Sequence, residues 1–222
     1  MAIAFVSISA LITGASTSVD AGSDANRLMV VDVFGGTVAS NDITAITFNG
    51  VSLTKVAEAK ADRWLSTWKL INPASGSNTL AITGGAIIRG RVSIYRDTDQ
   101  TTNPEASSTN VQTSTSISTD VTTVTVDAWT HACIRDNGGA TKNAISGYVE
   151  RTSEDGSGLT VVDSDGSEGV AGVKTIGVQD FSGTVNLAII GIAIKPDTAE
   201  PSTTTSPVYH RPSHSHGNPR RH

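Results

Sequence analysis

The 222-residue sequence has little cysteine, few aromatic residues and little charge, and each shortage excludes something. Its one cysteine, Cys133, cannot form an intrachain disulfide, so the fold must stand on its core or on association with other chains. Aromatic residues are 5% of the chain, too few to suggest a sugar-binding cleft. Charged residues are 17%, against about a quarter in an average domain. Serine, threonine, asparagine and glycine fill the gap, a surface style common in extracellular and virion β proteins. The net charge of −5 argues against nucleic-acid binding by the body of the chain. No apolar run is long enough for a membrane-spanning helix. The first residues, MAIAFVSISALITGAS, are apolar, but no Lys or Arg precedes them as in a secretory signal, and their alternation around Ser7 and Ser9 predicts a strand. No Gly-x-Ser-x-Gly elbow, phosphate loop or zinc-protease motif occurs, so the sequence reads as a non-enzyme.

What is present is period-two patterning broken by turn residues. Asn26 to Phe34 (NRLMVVDVF) is a nearly continuous β-branched run that ends at Gly35-Gly36. Ile43 to Phe48 and Val51 to Val56 flank Asn49-Gly50, the strongest short hairpin signal, because both turn residues take positive φ. Further strands are predicted at Arg63 to Ile71, Asn78 to Thr83, Ala86 to Tyr95, Val121 to Val126, Ala128 to Arg135, Ala144 to Glu150 and Leu159 to Val162. The Ser/Thr/Asn-rich stretch from Thr98 to Thr119 reads as a long loop or an extended cover strand. Thr184 to Ile194 (TVNLAIIGIAI) is apolar on both faces and must be covered on both sides, by a loop or by a neighbouring subunit. The fold class is therefore all-β: an antiparallel β-sandwich, jelly-roll-like, over residues 1–195, followed by an extended tail over residues 196–222. From Glu200 the tail holds three Arg, four of the five His and four of the seven Pro, and cannot bury enough apolar surface to fold alone.

Candidate chemistry is sparse. His210, His214 and His216 have ligand-like spacing for Zn, Ni or Cu but lack a carboxylate or thiol partner, so an extended His-rich tail is the simpler reading. Asp163 and Asp165, with Gly166 and Glu168, hint at calcium, yet the twelve-residue loop is missing and an acidic turn accounts for them. His131 and Cys133 lie two apart on one strand face, where they read as core rather than as a nucleophile and its base. Trp64, Trp68 and Trp129 sit in alternating strands and read as core rather than as glycan platforms. No cofactor is called for. Interface candidates are Ile190, Ile192 and Ile194 on the two-sided strand, and Val208, Tyr209, Arg211, Arg220 and Arg221 in the tail.

In order, the segments MAIAF, NRLMVVDVFGG, ITAITFNGVSLTKVAEA, RWLSTWKLINPASGSNTLAIT, STSISTDVTTVTVDAWTHACIRDN, LTVVDSDGSEGVAG and NLAIIGIAIKPD resemble a family of β-sandwich proteins found in tailed-phage and environmental viral genomes. The resemblance implies a virion structural protein, a capsid decoration or head/tail fibre-type subunit, docking on other capsid or tail proteins as a homo-oligomer, with a trimer favoured. It carries over no catalytic residue. Alternatives are a carbohydrate-binding host-attachment module and a secreted bacterial surface or filament subunit.

Overall fold

The computed structural model describes residues 2–35, 43–84, 88–137, 142–153 and 158–198. Its regular structure is all antiparallel strand, in two successive groups. The first group is β1 (Ala4–Ile8), β2 (Ser16–Asp20), β3 (Leu28–Gly35), β4 (Ala45–Phe48), β5 (Val51–Ser52), β6 (Thr54–Lys60), β7 (Trp64–Ile71), β8 (Ser77–Thr83) and β9 (Arg89–Arg96). The second is β10 (Ala106–Ser114), β11 (Ile117–Thr123), β12 (Trp129–Asp136), β13 (Asn143–Ala144), β14 (Val149–Ser153), β15 (Leu159–Asp163), β16 (Gly172–Gln179) and β17 (Val185–Ile194).

Each group makes its own two-sheet sandwich. The inner sheets run β1-β9-β3-β7-β6 and β10-β17-β12-β15-β14; the outer sheets run β2-β8-β4-β5 and β11-β16-β13. With the two-residue β5 set aside, both inner sheets read first-last-third-sixth-fifth and both outer sheets read second-seventh-fourth. The two units thus share one jelly-roll-like topology. Even a bulge recurs: the fifth strand of each unit shifts register against its neighbour, between Lys55 and Ala57 in β6 and between Glu150 and Thr152 in β14.

The two inner sheets face each other, giving four layers and three cores. Period two sends alternate residues of one strand into different cores. Met29, Val31 and Val33 of β3 pack against Ile46, Phe48 and Leu80 of the first outer sheet. Leu28, Val30 and Phe34 of β3 meet Trp129, Leu159, Val161 and Ile190 across the middle seam. Ala132, Ile134 and Ile189 meet Ile117, Val121 and Ile176 across the third. Every residue of β3 and β12 is buried for this reason. Strand β17 is two-sided because its own chain covers it twice: Ile190, Ile192 and Ile194 enter the middle core, Leu187, Ile189 and Ala193 the third. Each isoleucine withdrawn from water contributes about 1.5–3 kcal/mol.

Local chemistry sets the corners. Asn49 and Gly50 take φ of 49° and 77°, as the hairpin signal requires. The run from Val51 to Val56 does not continue in one sheet. Leu53 turns into the first core, its N–H bonding Ile46 O, and β6 proceeds in the inner sheet. Of the stretch from Thr98 to Thr119 that reads as loop or cover strand, most is β10 and the start of β11; the irregular part is the crossing between units. There Asp99 N–H bonds Lys195 O, Asp197 N–H bonds Asp97 O, and the Asn103 side chain both donates to Lys195 O and accepts from Lys195 N–H. The link between the units is tied to the end of β17, and Asn103–Pro104 within it is cis.

Candidate functional site

A connected chain of buried polar side chains lies in the middle seam. Asp32, on the β3 face that carries Leu28, Val30 and Phe34, is fully buried. Thr67 Oγ1 of β7 donates to its Oδ1 at 2.6 Å, and His131 Nε2 of β12 lies 2.9 Å from its Oδ2. The other ring nitrogen, Nδ1, is 2.9 Å from the Tyr95 hydroxyl of β9. Tyr95 donates to Asp163 Oδ2 of β15 at 3.1 Å. Arg151 of β14 then donates from Nε to Asp163 Oδ2 at 2.8 Å and from Nη2 to Asp165 Oδ1 at 2.5 Å. The chain of bonds passes from the first unit to the second, back, and across again before reaching solvent at Asp165.

An ionised carboxylate only accepts, so Tyr95 gives its single O–H to Asp163. With that proton spent, Nδ1 is the donor to the Tyr95 oxygen, and the bond between Nε2 and Asp32 completes the buried set. Burial, and after it the charge of Asp163, holds the Tyr95 phenol well above its usual range. Arg151 loses hydration, but its bonds to Asp163 and then Asp165 outweigh that loss and raise its guanidinium above the usual value. The same guanidinium lies 4.2 Å over the Phe5 ring of β1, a further tie between the units.

Cys133 is fully buried on the same face of β12 as His131. Burial, then the charge of Asp32, pushes its thiol well above the usual range, the reverse of what activates a nucleophile. Reagent access is also missing: Asp32, Tyr95, His131, Cys133 and Asp163 have no exposed surface. None of the three described cavities is lined by any of them. The arrangement can hold the two inner sheets in one register.

The candidates read from sequence fall in three places. Asp163 and Asp165 converge on Arg151, so a guanidinium stands where a cation was considered, and among the described residues no group of three or more His, Cys, Asp or Glu is placed to hold a metal. Ile190, Ile192 and Ile194 are interior, covered by the chain's own sheets rather than by a neighbour. Val208, Tyr209, His210, Arg211, His214, His216, Arg220 and Arg221 lie outside the described residues. Of the tryptophans, Trp68 and Trp129 are each 5% exposed, whereas Trp64 is half-buried beneath Lys60. Sequence reading missed Asp32, Thr67, Tyr95 and Arg151. One signal was available for Asp32: a lone carboxylate inside LMVVDVF, a run buried on both faces, must have a partner.

No family model, curated protein or solved structure significantly matches the chain.

Proposed function

We propose that the chain is a structural subunit of a virion, of the exposed decoration or head/tail fibre type, which acts by docking on capsid or tail proteins and on copies of itself. One observation carries the reading: the described side chains most capable of acid-base or nucleophilic chemistry, His131, Asp32, Asp163, Tyr95 and Cys133, are withdrawn into the seam that joins two jelly-roll-like units. Jelly rolls build many viral shells and also lectins, so the topology supports the reading without deciding it. The order of segments that resembles phage β-sandwich proteins supports it from the sequence side.

The test is to purify particles produced by the genome that encodes the chain, measure the chain's copy number by quantitative mass spectrometry, and locate it in an image reconstruction. Stoichiometric, symmetric density on the capsid or tail is the expected result. Absence of the chain from washed particles would remove the proposal. A glycan-binding role has less to stand on, because the faces of Trp68 and Trp129 are inside the cores.

A further inference from the structure

Among the described residues, four strands form the edges of the two inner sheets: β1, β6, β10 and β14. An unpaired edge invites pairing with another chain, and proteins blunt it with bulges, charge or shortness. Three of the four are blunted. Strand β1 has five residues and shifts register between Phe5 and Ser7. Strand β6 shifts at Val56 and carries Lys55, Glu58 and Lys60. Strand β14 shifts at Arg151 and carries Glu150 beside it.

Strand β10 has none of these devices. Its nine residues, ASSTNVQTS, pair with β17 in unbroken register from Ala106↔Ala193 to Ser114↔Val185. No charged residue occurs from Ala106 to Thr119, although the chain as a whole carries −5. Ser107, Thr109, Val111 and Thr113 are exposed in strict alternation. The Val111 N–H is turned away from β17, since it bonds Asn110 Oδ1 at 2.8 Å, and period two turns the backbone of Ser107, Thr109 and Thr113 the same way. On the other face the strand is braced: Asn110 Nδ2 donates to Ser118 O, Gln112 Nε2 to Ser116 O, and the Ser108 and Thr119 hydroxyls bond each other. The edge is straight, neutral and held in place before any partner arrives.

We infer that β10 is a strand-addition site whose occupant is β10 of a second copy of the chain, so that two five-stranded inner sheets join into one across a two-fold axis. A neutral strip is where two copies of an acidic protein meet with least repulsion. With the axis at Asn110, Thr109 of one copy stands opposite Val111 of the other and Ser107 opposite Thr113, the Val111 N–H exchanging its bond to Asn110 Oδ1 for one to Thr109 O of the second copy. Antiparallel self-pairing gives a two-fold pair rather than the trimer that the resemblance implies. The inference rests on the reading of the chain as an assembling subunit.

The test is sedimentation equilibrium on the full chain, the Thr109→Lys/Val111→Lys double variant, and Val173→Lys, which alters an exposed valine on the outer strand β16. The double variant brings four ammonium groups to the seam and is expected to weaken self-association by on the order of a hundred-fold. Val173→Lys is expected to leave it unchanged. Hydrogen exchange on the unaltered chain provides a second readout independent of the variants: the amides of Ser107, Thr109 and Thr113 are expected to slow as concentration rises. A monomer at all concentrations, or a dimer that persists in the double variant with exchange at these amides independent of concentration, overturns the inference. If the chain occupies particles yet stays monomeric, the edge inference fails and the virion reading stands; a β10 dimer absent from particles gives the reverse.

Discussion

Two faces of one strand pack by different physics. Met29, Val31 and Val33 of β3 enter a core that is apolar against the first outer sheet, whereas Leu28, Val30, Asp32 and Phe34 enter the seam between the units, where Asp32 begins a chain of buried polar bonds. The difference separates cohesion from register. Apolar surfaces attract at many relative placements; the bonds from Asp32 to His131, Tyr95 and Asp163 are all made at one. The first unit coheres by burial, and the register between the units is set by these buried hydrogen bonds.

The largest effect that would break this comparison comes from Asp32→Ala. It leaves His131 Nε2 and Thr67 Oγ1 buried without their shared partner and is expected to cost about 3–5 kcal/mol. Val31→Ala, one residue away on the apolar face, should cost about 2 kcal/mol from lost methyls and the cavity they leave. Urea titration of both variants reads the difference directly. If the network specifies register more than it stabilises, replacing Asp32 and His131 together by leucine costs less than Asp32→Ala alone. Equal costs for Asp32→Ala and Val31→Ala would mean that the two faces contribute alike.

Alkaline pH probes the middle seam without mutation. Tyr95 and Cys133 are both held above their ordinary values, chiefly by burial. The unfolded chain releases the thiol proton near about 8.5 and the phenol proton near about 10, while the folded chain keeps both to higher pH. The folded state therefore binds more protons in that range, and stability falls as pH rises. Their contribution is complete below about pH 8, then declines by about 1.4 kcal/mol per pH unit for each group. Urea midpoints measured from pH 8 to 11 should show this fall, with Cys133→Ala removing its earlier part and Tyr95→Phe its later part. A flat profile would show that neither group retains its proton.

Much of the layering was legible in period two and some of the seam was not. The Asn49-Gly50 hairpin, strand β3 and the two-sided β17 could be read directly, because turn φ and alternation are local. What covers β17 was not local: it depends on two outer sheets closing over two inner ones. The repeated topology left no matching polar residues to find, since Asp32 is the fifth residue of β3 and His131 the third of β12. Arg151 was hidden for another reason. It is the extra residue of the β14 bulge, left out of the register pairing with β15, so no cross-strand spacing marks it as the partner of Asp163.

The outer seam of the second unit offers a smaller test, because it is set by closeness rather than charge. A Cβ on Gly191 of β17 would lie 2.6 Å from Val121 Cγ2 and 2.8 Å from Thr119 Cγ2. Gly191→Ala forces that sheet outward and is expected to cost about 1–3 kcal/mol by overpacking. The middle seam should be unaffected, which the pH profile of the variant checks: its alkaline fall keeps the slope of the unaltered chain while the whole curve drops. A changed slope would mean that the two seams are coupled through β17.

The smallest expected effect lies farthest from either seam. Gly50 sits in the β4–β5 turn at φ 77° with nothing within 4 Å of the position a Cβ would take, so a side chain meets no clash there and only the backbone conformation resists. Gly50→Ala is therefore expected to cost about 1 kcal/mol. The turn fixes the register of Phe48 against Val51, and Phe48 is a buried member of the first core. A loss well above that value in a urea titration would mean that the hairpin, and not only burial, sets how the first outer sheet meets β3.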